Sequence, residues 1–175
     1  MDHNEGLVSV ILIAIGSNLP HPEHGQPRAV CEAALLRLAE LGVPLLRRSR
    51  WFGSAPVPRS DQPWFVNGVA AVEPEPALAP ADLLAVLHQV EAEFGRERRL
   101  RNEARILDLD LIDYRGIVSP PDSDLRLPHP RLQERAFVVL PLQDVSRNWR
   151  HPVSGEAIAD IAARLPEEQQ TQPLE

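Results

Sequence analysis

The sequence predicts an α+β fold: a ferredoxin-like βαββαβ antiparallel sheet with helices packed on it and a helical C-terminal extension. Two observations carry this. Four apolar runs of strand length alternate with two amphipathic stretches, each closed by a glycine, in the order strand, helix, strand, strand, helix, strand. The 175 residues, 43% hydrophobic and 25% charged, suit one soluble domain with a sizeable core. That domain is expected over residues 1–165, with 166–175 a polar tail that frays.

Leu7 to Ile15 is apolar and β-branched, a buried strand ending in the turn chemistry of Gly16-Ser17-Asn18. His21 and His24 follow in a Pro-punctuated loop and read as solvated histidines rather than metal ligands, since no further ligand lies near. Val30, Ala34, Leu38 and Leu41 mark one face of a helix over Arg28 to Leu41, and Gly42 stops it. Leu45 to Phe52 is a second strand, and Gly53 to Pro63 a long loop. Phe65 to Val72 is the third, with Phe65, Asn67, Val69 and Ala71 sharing a face. Such a ring and amide can stack a flat heterocycle and bond its edge, although spacing alone favours a core Phe and a strand-end Asn. Leu83, Leu87, Val90 and Phe94 define a second helix ended by Gly95; His88 and Glu91 lie off that stripe and read as its solvated edge.

The fourth strand, Arg105 to Asp113, carries acids where a buried strand should have none. Its period of two puts Asp108 and Asp110 on one face, roughly 7 Å apart, where two carboxylates need a positive partner, either arginine or a metal ion. Arg96, Arg98, Arg99, Arg101 and Arg105 precede them closely, and the combination suggests phosphate chemistry. Turn residues then suggest a small hairpin between Asp113 and Leu125, and flanking prolines hold His129 rigidly. Arg135 to Leu142 is a short helix or turn on the core, and Ala157 to Leu165 a last short helix.

A formal net charge of −7 argues against a general nucleic-acid binder, although the local arginines permit a polyphosphate ligand. All 18 basic residues are arginine, which excludes the lysine of the P-loop and of the protein-kinase strand as grips on ATP. Cys31 sits at helical spacing where a small buried residue fits. No apolar run is long enough to span a bilayer, and the N-terminus lacks the basic start of a signal peptide, so a cytoplasmic protein is expected.

Five ordered segments resemble the 6-hydroxymethyl-7,8-dihydropterin pyrophosphokinases of folate biosynthesis: Ala14 to Leu19, Asp61 to Asn67, Gly95 to Arg98, Arg105 to Asp110 and Leu127 to Phe137. The resemblance implies transfer of pyrophosphate from ATP to the pterin hydroxymethyl group, releasing AMP, with two Mg²⁺ ions. It implies that Asp108 and Asp110 bind the ions, that Phe65 and Phe137 sandwich the pterin, and that Asn67 reads its edge. It further assigns Arg96 and Arg105 to the transferred phosphates and Arg98, His129, Arg135 and Glu91 to the nucleotide, with His88 on the same flanking helix where relatives often have glutamine. A monomer is expected. Where many members have Trp-Gly-Pro-Arg before the acidic strand, this chain has Asn102-Glu103-Ala104-Arg105, so site closure is not carried over. Two other readings stay open: a Mg²⁺-dependent phosphohydrolase, and a non-catalytic ferredoxin-like binding module with a salt-bridged acid pair.

Overall fold

In a computed structural model describing residues 9–96 and 102–175, strands and helices follow one another as β1 (Ile11–Ser17), α1 (Pro27–Glu40), β2 (Leu45–Arg48), β3 (Phe52–Ser54), β4 (Phe65–Val72), α2 (Pro80–Glu93), β5 (Asp108–Tyr114), α3 (Ala136–Val145), α4 (Ile158–Ala163) and β6 (Thr171–Pro173). The strands form one sheet in the order β5-β1-β4-β3-β6, with β2 also on β4. Every pairing is antiparallel. This retains the predicted βαββαβ path, with its second strand broken into β2 and β3 around Ser49, whose hydroxyl accepts the N–H of Val69 at 3.0 Å.

The period of two sorts β1 between two cores. Ile11, Ile13 and Ile15 face Val30, Ala34 and Leu38 of α1 and Leu83, Leu87 and Val90 of α2. Leu12, with Val69 and Ala71 of β4, faces Val138, Val139 and Leu142 of α3 and Ile158 and Ile161 of α4. The sheet is therefore covered on both faces. The expected C-terminal extension is a second helical layer, because the other sheet face is as apolar as the first and needs cover.

Four local expectations change. β1 runs on through Gly16 and Ser17, which pair with Asn67 and Val66 rather than turning. No strand forms between Asp113 and Leu125 among the described residues: Tyr114 to Gly116 turns, and Ser119 reaches Leu127 by hydrogen bonds instead. The tail does not fray as expected: β6 pairs with β3, Ala55 N donates to Gln170 O at 3.0 Å, and Leu174 N to Trp51 O at 2.8 Å. A ladder needs only backbone groups, so the polar sequence there gave no sign of it. Glu91 is not on a solvated edge; it is 2% exposed, since it lies one turn beyond Leu87 on the buried stripe. Cys31 is buried in the first core, which pushes its thiol up to about 12, as packing alone requires.

Candidate active site

At the Gly16 end of β1 three strands set one row of residues side by side: Asp108 opposite Gly16, and Gly16 opposite Asn67. Asp110 lies one row deeper, opposite Ala14. A register shift between Leu12 and Ile13 then turns Asp113 away to a structural task, accepting from Trp149 Nε1 at 2.7 Å and Gly116 N at 2.8 Å. Above the row, the N-terminus of α3 brings Arg135 and Phe137. Phe65, Asn67, Arg105, Asp108, Arg135 and Phe137 all line one cavity of about 430 Å³.

Asn67 is buried, and its Nδ2 donates to Ser54 Oγ at 2.5 Å. Gly16 leaves the space that its amide fills: a Cβ there would lie 2.8 Å from Asn67 Oδ1. Gly16 was legible as a turn residue; its true role is close approach. The guanidinium of Arg135 lies 5.5 Å from the centroid of the Phe137 ring, a cation–π contact that couples the two side chains.

Asp108 is held at both oxygens, by Arg96 Nη1 at 2.5 Å on Oδ1 and by Arg105 Nη1 at 2.8 Å on Oδ2. The same Arg96 nitrogen donates to Glu91 Oε2, and Glu91 Oε1 accepts the N–H of Leu109 at 3.3 Å. Burial opposes the charge of Arg96, yet Asp108 and Glu91 outweigh it and raise its pKa. Arg105 is fixed through its backbone, donating to Asn18 Oδ1 at 2.7 Å, while Asn18 N donates to its carbonyl at 3.0 Å. Sequence reasoning read Asn18 only as a turn former. His88 is exposed on α2, and Arg98 lies outside the described residues.

Burial, and then the Asp108 carboxylate, push Asp110 up to about 6, with Arg135, Arg96 and Arg105 pulling the other way. Burial first, then Arg135 and Arg131, push His129 down to about 4. Its Nδ1 accepts the N–H of Arg131 at 3.2 Å, so the neutral ring carries its proton on Nε2. Burial, then Arg131, also lower the pKa of Arg135.

The donor set fits Mg²⁺. Two same-face carboxylates, one of them strained by the other's charge, suit a hard cation whose remaining positions go to phosphate oxygens and water. No group of three or more His, Cys, Asp or Glu forms a metal cage among the described residues, so a phosphate ligand has to complete the coordination.

Residues 12–147 match the family described as 7,8-dihydro-6-hydroxymethylpterin-pyrophosphokinase (HPPK). The chain is 38% identical to the 2-amino-4-hydroxy-6-hydroxymethyldihydropteridine pyrophosphokinase of Pseudomonas aeruginosa, covering 91% of this chain and 94% of that protein. It is 33% identical to the enzyme of the same name from Methylorubrum extorquens, over 87% and 91% of the two chains. Its fold matches a crystal structure of Plasmodium falciparum HPPK-DHPS with a TM-score of 0.66 at 13% identity, spanning 89% of this chain and 44% of that longer one. By this match and by its identity to whole-length relatives, the chain belongs to the 7,8-dihydro-6-hydroxymethylpterin-pyrophosphokinase family.

Proposed function

We propose that the cavity joins ATP to 6-hydroxymethyl-7,8-dihydropterin, transferring pyrophosphate to give AMP and the pterin diphosphate in folate biosynthesis. The observation that carries this is a shared wall: the acid pair with its arginines and the Phe65, Asn67 and Phe137 set stand on one face of the sheet around one cavity. A hydrolase or a salt-bridged binding module accounts for the first half of that wall and leaves the second without a task.

In the reaction the pterin hydroxymethyl oxygen bonds to the β-phosphorus of ATP. The bond from that phosphorus to the oxygen retained by AMP breaks, and the hydroxyl proton leaves to solvent. Phe65 and Phe137 hold the flat ring system, and Asn67, already oriented by Ser54, pairs with its amide-like edge. Asp108 and Asp110 hold two Mg²⁺ ions, which supply charge neutralisation across the phosphates and favour ionisation of the attacking hydroxyl. Arg96 and Arg105 exchange Asp108 for phosphate oxygens, where fixed guanidinium donors oppose charge growing on the leaving group. His129 offers its Nε2–H to a phosphate as a neutral donor, and Arg135 and Arg98 add charge beside it. Glu91 acts on the nucleotide through Arg96, which it holds from behind.

The working unit is one chain, since every lining residue belongs to it, acting in the cytoplasm where ATP is at hand. Among the described residues no helix is long and apolar enough to cross a membrane. Incubation with the pterin, ATP and Mg²⁺, followed by mass spectrometry, should give AMP and pterin diphosphate in equal amounts. Phosphate release without the pterin product would overturn the reading.

A further inference from the structure

The cavity has an outer wall that comes from beyond residues 12–147, the stretch matched by the family. Pro166 and Gln169 line it alongside Phe137 and Arg135. The Gln169 side chain makes two hydrogen bonds to the start of α3: its Oε1 accepts the N–H of Ala136 at 2.8 Å, and its Nε2 donates to Glu134 O at 2.6 Å. These two bonds bracket Arg135.

The bracket answers a local problem. Arg135 stands at the N-cap of α3, a position where Ser, Thr, Asp or Asn ordinarily satisfies the first free N–H groups. Its side chain makes no cap bond and lies against the Phe137 ring instead. A residue employed in the cavity cannot also cap its helix, so the missing acceptor has to come from elsewhere. Ala136 is 2% exposed, which leaves water a poor substitute.

The other end of the same segment is equally fixed. Gln170 O accepts the N–H of Ala55, and Thr171 pairs with Ser54, both on the opposite wall of the cavity. Residues 169–171 thus span from the Phe137 wall to the Ser54 wall, and the carboxamide of Gln169 sets where the first stands relative to the second.

We propose that Gln169 is a positioning residue: it caps α3 in place of Arg135 and thereby holds Arg135 and Phe137 at the substrate cavity. The inference rests on the pterin site proposed above. Its test is steady-state kinetics on the full chain with Gln169→Met, which keeps the bulk and loses both bonds. Gln169→Asn, one methylene too short to reach both groups, is measured beside it. The expected result for both is a KM for the pterin raised about fivefold or more, with kcat within about twofold, the scale of one or two hydrogen bonds lost from an aligning contact. Gln169→Glu keeps the acceptor for Ala136 N–H and a favourable charge at the helix start, and should return the KM to within about twofold of the parent. An unchanged KM in the Met and Asn variants, or an equal rise in all three, would overturn the proposal, the second because a merely steric role would not be rescued. Phe137→Ala separates the two levels: if it raises the pterin KM while Gln169→Met does not, the clamp fails and the site stands. If Phe137→Ala changes nothing, the pterin site itself is misplaced.

Discussion

Arg96 Nη1 lies 2.5 Å from Asp108 Oδ1 while also donating to the buried Glu91, so one guanidinium bridges the floor of the cavity to the core. Arg105, on the other oxygen of Asp108, is about a quarter exposed and has no such anchor in the core. The two arginines should therefore separate by experiment. Truncating either to alanine removes a preorganised donor and should lower kcat about a hundredfold or more. Only Arg96→Ala strips a buried carboxylate of its ion-pair partner, and should cost about 3 kcal/mol of stability, against less than about 1 for Arg105→Ala. Urea unfolding of both variants reads this contrast, and equal stabilities would contradict it.

Asp110 carries the opposite trade. Its raised pKa means that the folded protein resists ionising it, so this contribution to stability is complete at acid pH and is lost as pH rises through about 6. Asp110→Asn removes the like charge from beside Asp108. At pH 8 in the presence of a chelator the variant should be more stable than the parent, by about 1–3 kcal/mol, while losing Mg²⁺-dependent AMP formation. Near-normal turnover would remove Asp110 from the metal site; a loss of stability would mean that the repulsion is already relieved.

Much of this arrangement was legible because it follows from short-range periodicity. β4 spans the residues expected of it, and the shared face of Phe65 and Asn67, like that of Asp108 and Asp110, follows from alternation along single strands. What stayed hidden depends on partners distant in the chain. Glu91 looked solvated until Arg96 and the Leu109 N–H closed on it. The polar 166–175 segment carries no hydrophobic signal, and its order comes from backbone pairing with β3 and from one glutamine. Nor does the apolar Ala136-to-Leu142 run say which face of the sheet it covers.

Gly16 and Asn67 supply a test that touches no charged group. Gly16→Ala would push a methyl to within 2.8 Å of Asn67 Oδ1, closer than real Cβ contacts allow, so the amide has to rotate or withdraw from Ser54. Because the acid pair and arginines are untouched, the KM for ATP should stay within about twofold, while the KM for the pterin rises about tenfold, the scale of a mispaired recognition group. A parallel rise in both constants would mean that the row is disturbed as a whole and that Asn67 does not single out the pterin.

His129 makes the fold acid-sensitive in a defined window. Its folded pKa, about 4, lies below the ordinary histidine value of 6.5, so the unfolded chain binds a proton more readily. The stability it contributes is therefore fully present above 6.5 and is lost as pH falls through the folded value near 4. Partial exposure of the ring reduces the full effect to about 1–2 kcal/mol. His129→Gln, which does not titrate, should lose less stability than the parent between pH 7 and pH 4, measured by urea midpoints at each pH. At pH 7 the same variant should lower kcat about tenfold or more by withdrawing the neutral Nε2–H donor. Identical pH slopes in the two proteins would show that the buried imidazole is not what makes the fold acid-sensitive.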